Sequence, residues 1–186
     1  YSLHPVRSFL YSIDTYIVGA LSDTDHAIVI LFSFGLAGMI GVITYIGGIR
    51  GIVEIVSRWA KGPRSGQVAT WFLGLFIFFD DYANSLIIGN TMRPFTDKVR
   101  VSREKLAFIV DSTAAPVATI GVISTWTAFQ IGLISQETGL KDKIGDPYLF
   151  FLVSIPYSFY SILTLFLVLI CGLLLRDFGP MRKAEE

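Results

Sequence analysis

Two stretches put groups capable of chemistry inside segments that otherwise suit hydrocarbon. In the first, the apolar run 70–79 meets Asp80, Asp81, Tyr82, Ala83, Asn84 and Ser85 before apolar residues resume at Leu86. In the second, Leu106 to Val110 meets Asp111, Ser112, Thr113, Ala114, Ala115 and Pro116 before Val117. A charge at the centre of a bilayer costs at least about 2.5–3.5 kcal/mol on insertion scales, so carboxylates there are read as functional by default. The bland alternative is a set of short soluble elements joined by polar turns. Pro116 lacks a backbone donor and clashes with a continuing helix, so a break near 112–116 is expected. The half-helix ends flanking such a break carry partial charges suited to ions or polar substrates.

The surrounding chain decides between these readings. It is 53% hydrophobic and 16% charged, with mean hydropathy +0.61, more apolar and less charged than a soluble domain. Ala27 to Ile49 is 23 residues without a charge, about 35 Å of helix. Tyr148 to Leu175 is 28 without a charge, about 42 Å, which requires tilt or a kink such as Pro156 allows. Both exceed what a bilayer crossing needs. An integral membrane protein is therefore expected, all-α and polytopic. Formal net charge is zero, which offers nucleic acid nothing. The single cysteine, Cys171, lies in an apolar run and reads as a small hydrophobe. The chain begins at Tyr1 and has few spans for a carrier, so a fragment of a longer protein is expected.

Spacing and charge then place the elements. Val6, Phe9, Leu10, Ile13, Tyr16, Ile17, Ala20 and Leu21 recur every three or four residues, the mark of an amphipathic helix within 1–26. It lies either on the membrane surface or against the bundle. The span 27–49 carries Gly35, Gly38, Gly41, Gly47 and Gly48, a packing feature. Two loops are basic: Arg50, Arg58, Lys61 and Arg64 in 50–65, and Arg93, Lys98, Arg100, Arg103 and Lys105 in 91–105. Residues 1–26 hold one Arg and three Asp, and 135–147 hold two Lys and three acids. The positive-inside tendency puts both basic loops in the cytoplasm. Residues 66–90 then form a re-entrant hairpin with its tip at 80–84, lining a cavity. Residues 106–134 form a broken span crossing outward, and 148–175 a span returning to the cytoplasm.

The segment Phe78-Phe-Asp-Asp-Tyr-Ala-Asn-Ser-Leu-Ile-Ile-Gly-Asn-Thr-Met-Arg-Pro94 resembles the signature of the NhaC-type sodium/proton antiporter family. Ser102-Arg-Glu-Lys-Leu106, Asp111-Ser-Thr-Ala-Ala-Pro116, Ser124-Thr-Trp126, Ile155-Pro-Tyr157 and Arg176-Asp-Phe-Gly-Pro-Met181 are similar to the same family. The resemblance implies an ion-transporter fold of two inverted repeats, each with a re-entrant hairpin and a broken helix. This chain would be most of one repeat, a single membrane transport domain fragment over 1–186. It further implies multi-pass placement in the cytoplasmic membrane and secondary transport, with sodium leaving as protons enter. Some relatives exchange organic acids or other small solutes instead.

Residue chemistry agrees with that implication. An antiporter needs a carboxylate that takes either a proton or a cation, and burial beside a second carboxylate strengthens its hold on the proton. Asp80, Asp81 and Asp111 are the candidate exchangers and Na+ ligands; Asn84, Ser85, Ser112 and Thr113 supply neutral oxygens. Successive helix positions point about 100° apart, so one of Asp80 and Asp81 faces the ion while the other caps an arm or pairs with a base. Na+ and H+ are cargo, and no cofactor is expected. The expected partners are the lipid bilayer, a second repeat of the same chain and, as an option, a second copy of the protein. No enzyme motif appears: there is no phosphate loop, HExxH pair or nucleophile elbow. An intramembrane aspartyl protease would need a Gly-x-Gly-Asp motif, absent here, and a channel or scaffold subunit is the other alternative.

Overall fold

A computed structural model describes residues 5–48, 51, 54–55, 61–136 and 145–185. Every regular element among them is helical. Helix α1 (Pro5–Tyr11) continues through a π-helical stretch, Ser12–Val18, into α2 (Gly19–Ser22). Next come α3 (Thr24–Tyr45), α4 (Pro63–Phe76), α5 (Asp81–Lys98) and α6 (Arg103–Ile120). Then follow α7 (Thr125–Gln136), α8 (Pro147–Ser154), a 3-10 turn at Ile155–Tyr157, α9 (Phe159–Leu174) and α10 (Gly179–Glu185). The charges at Arg50, Arg58, Lys141 and Lys143, used above for topology, lie outside the described residues.

Helix α6 is the hub. It packs against α4, α5, α9, α7 and α10. Ser102 starts it as an N-cap, its hydroxyl accepting the Lys105 amide at 3.0 Å. Buried residues surround most of its circumference, from Lys105, Leu106, Ile109 and Val110 to Thr113, Ala114, Pro116, Val117 and Ala118. The apolar core joins Leu106 and Val110 to Leu73 and Ile77 before the turn and to Ile88 and Met92 of α5. Helix α9 adds a buried stripe, Ser161, Leu165, Val168, Cys171 and Gly172, at helical spacing. The Trp71 indole donates to the Leu165 carbonyl at 3.0 Å, tying α9 to α4.

Helices α4 and α5 form a hairpin whose two ends meet. A Cβ on Gly66 would lie 2.9 Å from Val99 Cγ2, so the start of α4 and the end of α5 lie side by side. Glu185 accepts the Ser102 amide at 2.8 Å, bringing α10 to the same end. At the opposite end of the bundle, Gln136 of α7 meets His26 of α3, Nε2 to Nε2 at 3.2 Å.

Two expected positions are corrected. The hairpin turn is 77–80 rather than 80–84, because Asp80 is an effective N-cap and the helix restarts at Asp81. The broken span does not break at 112–116: α6 runs unbroken through Pro116 and ends at Ile120, and the chain bends by 42° into α7. Proline in a helix interior costs about 3 kcal/mol, and the packing around Pro116, buried with Ala114, Val117 and Ala118, outweighs it. Helix α3 covers Thr24–Tyr45 of the first apolar span, whose expected end at Ile49 lies outside the described residues. The last span is divided at the turn holding Pro156.

Polarity is distributed inside out. Gln67, Thr70, Asn84, Thr96, Lys105, Thr113, Ser124, Thr127 and Ser161 are buried, whereas Leu31, Phe34, Phe72, Tyr160, Leu163 and Phe166 are exposed. Among the described residues, two helices are long and apolar enough to cross a membrane, or three if the bent α6–α7 pair counts as one span.

Lys105 is fully buried, and its ammonium pairs with Asp177 on the segment after α9, 72 residues away. The Phe108 ring lies 5.2 Å from the same nitrogen. Removing one member of a buried ion pair costs about 3–5 kcal/mol, because a buried charge is left alone, whereas replacing both by apolar groups is close to neutral. Lys105→Met should therefore lower the melting temperature of the protein in detergent sharply. Lys105→Met/Asp177→Leu should recover most of the loss. A double variant no better than the single would assign the damage to lost packing instead.

Candidate functional site

The candidate site is where two interruptions of helix abut. At 77–80 the chain leaves helix α4, and at 121–124 it leaves α6. Backbone groups released at such points must find partners when water is excluded. Each interruption supplies them to itself and to the other. The Asn84 amide nitrogen donates to the carbonyls of Gly74 at 2.8 Å and Ile77 at 2.9 Å, closing the end of α4. Asp80 Oδ1 accepts the Ala83 amide at 2.8 Å, starting α5. Ser124 Oγ donates to the Ala118 carbonyl at 2.6 Å, and the Thr127 hydroxyl donates to the Gly121 carbonyl. The Thr127 amide donates to Ser124 Oγ at 2.9 Å, starting α7.

Two bonds join the interruptions. The Thr125 amide donates to the Phe79 carbonyl at 3.0 Å, and the Thr125 hydroxyl donates to Asp80 Oδ2 at 3.2 Å. Gly121 permits the approach, since a Cβ there would lie 3.2 Å from the Phe78 carbonyl oxygen. Nearby, Gly74 and Thr113 bring α4 and α6 into close contact: a Cβ on Gly74 would fall 2.3 Å from Thr113 Oγ1.

At this junction Asn84 keeps an unmatched polar atom. Asn84 is fully buried, its two amide bonds go to α4, and its carbonyl oxygen Oδ1 has no donor. An unopposed oxygen in a dry interior is costly, and it is an acceptor aimed at nothing in the chain itself.

The seven residues singled out from sequence fall into three groups. Asp80 and Asn84 sit at the paired interruptions, Asp80 partly buried and Asn84 fully. Asp81 and Ser85 lie in the first turns of α5, partly buried. Asp111, Ser112 and Thr113 lie on α6, where Thr113 is buried against Gly74 with its hydroxyl returned to the Ile109 carbonyl at 2.8 Å. Ser112 is partly buried, and Asp111 is exposed. Asp111 precedes Gly121 by ten positions, roughly 15 Å along the helix axis. Among the described residues no three carboxylates, histidines or cysteines converge as a metal cluster. The sequence reading missed Gly121, Ser124, Thr125 and Thr127. A glycine with capping hydroxyl residues three and four positions later, Gly121 before Ser124 and Thr125, is a recognisable helix stop and restart, and it stood in the sequence a few residues after the more conspicuous Pro116.

No family model matches the chain. No solved structure matches it. A protein of Haemophilus influenzae, described only as an uncharacterized protein, is 32% identical over 159 residues, which cover 85% of this chain and 31% of that protein. The chain thus spans about a third of the length of that relative.

The Gly74–Thr113 contact yields a stability test. Gly74→Ala should lower the melting temperature, because overpacking a tight interface costs about 1–3 kcal/mol. Gly89→Ala, at a helical site with open space around it, should be neutral or stabilising by up to about 1 kcal/mol. Equal effects at the two positions would mean that α4 and α6 are not in register at this contact.

Proposed function

We propose that this chain is part of a secondary active transporter in a membrane, exchanging sodium for protons, of the NhaC-type antiporter kind its motifs resemble. In this reading α4 and α5 are a re-entrant hairpin, α6 and α7 one broken span, and α3 and α8–α9 further spans of a multi-pass bundle. The inside-out polarity and the two helices of spanning length support embedding in a bilayer. The observation that carries the transport reading is the paired interruption: a buried, donor-free oxygen on Asn84 beside a turn capped by Asp80. Paired breaks that expose backbone and side-chain oxygens inside a bundle are the arrangement by which carriers coordinate small cations.

The roles follow from the chemistry of each group. Asn84 Oδ1 offers a neutral oxygen to a cation, held in place by the two bonds its amide makes. Asp80 is tied by Ala83 and Thr125, so it contributes negative charge while keeping its position. Asp81 and Asp111 remain the carboxylates less encumbered by hydrogen bonds, and one of them is the proton carrier. Exchange of a small organic acid or other solute is the alternative cargo at the same site.

The test is proton flux against sodium concentration with the full-length protein in proteoliposomes. Asp→Asn at the exchanging carboxylate should abolish coupled flux while the protein remains folded by size-exclusion and melting profile. Asn84→Ala should raise the half-saturating sodium concentration about tenfold, equivalent to ~1.4 kcal/mol, with coupling intact. Wild-type exchange in all three variants, Asp80→Asn, Asp81→Asn and Asp111→Asn, would remove this chain's carboxylates from the reaction. Sodium-independent flux of an organic acid would favour the alternative cargo.

A further inference from the structure

At the end of the bundle far from His26 and Gln136, a cavity of about 650 Å³ opens between the start of α4, the turn after α5 and the segment after α9. Its volume is that of a small-molecule site. Arg100, Arg176 and Arg182 line it, together with Gln67, Asp177 and Glu185. Both acids are already engaged, Asp177 by the buried Lys105 and Glu185 by the Ser102 amide. Among the described residues, the guanidinium groups of Arg100 and Arg176 have no ion-pair partner. Arg100 and Arg176 therefore present the cavity with guanidinium donors outside any ion pair among the described residues.

Two further observations point to a ligand. Gln67 is 1% exposed, and neither its Oε1 nor its Nε2 has a partner. A buried amide with both ends unmatched lacks two bonds that an occupant of the cavity would supply. The second is backbone strain. Arg100 has φ +59° and Leu175 φ +52°, left-handed values that non-glycine residues seldom adopt, and both residues line this cavity. At Leu175 the reversal ends α9 and turns Arg176 and Asp177 toward the cavity. Strain of this kind persists where the surroundings fix it and clusters at ligand sites.

We propose that this cavity binds a phosphate ester that also bears hydroxyl groups. Arginine forks match phosphate oxygens in bidentate geometry, the Gln67 amide nitrogen adds a neutral donor, and its carbonyl oxygen accepts from a ligand hydroxyl. The same chemistry is found in a glycerophosphate lipid headgroup and in a soluble glycerol phosphate. The site is separate from the paired interruptions, so it stands whether or not sodium is transported; only the lipid source depends on a membrane setting.

The experiment measures melting temperature of the full-length protein in detergent with added phosphatidylglycerol, phosphatidylcholine or glycerol 3-phosphate. Stabilisation by phosphatidylglycerol alone identifies a lipid headgroup, and stabilisation by glycerol 3-phosphate identifies a soluble ester. Either shift should fall at least severalfold in Arg100→Gln/Arg176→Gln and in Gln67→Leu, and should shrink in the wild-type protein as salt is raised. If the arginine variant does not fold, Gln67→Leu and the wild-type salt series decide. No shift with either phosphate compound, or a shift equal to that with phosphatidylcholine and indifferent to salt, overturns the proposal.

Discussion

Backbone groups freed inside an apolar bundle must be paired, and the arrangement of this chain follows from that requirement. Helices α4 and α6 end beside one another, at 77–80 and 121–124. Asn84 closes the end of α4 and Ser124 and Thr127 close the end of α6, while Thr125 reaches across to Phe79 and Asp80. Gly74 and Gly121 remove the side chains that would hold the partners apart. At this junction Asn84 Oδ1 is left without a donor, which buried polar groups seldom are.

Helix α6 connects this junction to the opposite end of the bundle. Its far end receives the hairpin turn, and its near end holds Lys105 against Asp177. The ion pair fixes the segment after α9 to the start of α6, and the same segment forms the wall of the arginine-lined cavity. The junction and the wall of the cavity are thus tied to opposite ends of one helix. Anything that shifts α6 lengthwise perturbs both.

Much of this was legible in the sequence because it follows from local composition. Uninterrupted apolar runs mark α3 and α9, and the polar insertion that starts at Asp80 marks the restart of helix at α5. Asp80 as a helix cap follows from its residue type. The location of the second break was not legible from Pro116, because proline's local cost competes with packing on several sides of α6, which no local pattern records. Gly121, Ser124 and Thr127 did signal it. The pairing of Lys105 with Asp177 was beyond local reading, since the two residues meet only once α9 has returned beside α6. The position of Asp111 on an exposed face likewise depends on which neighbours surround α6, and not on its own flanking residues.

The central claim is that α4 and α5 enter the bundle and return to the side they came from. Sided labelling of single cysteines in the full-length protein, on a Cys171→Ser background, tests it directly. Cysteines at Lys61, Lys98 and Arg182 should react with an impermeant maleimide from one face of the membrane, and a cysteine at Gln136 from the other. Reaction at Lys61 and Lys98 from opposite faces would mean that the hairpin crosses, and would contradict the account.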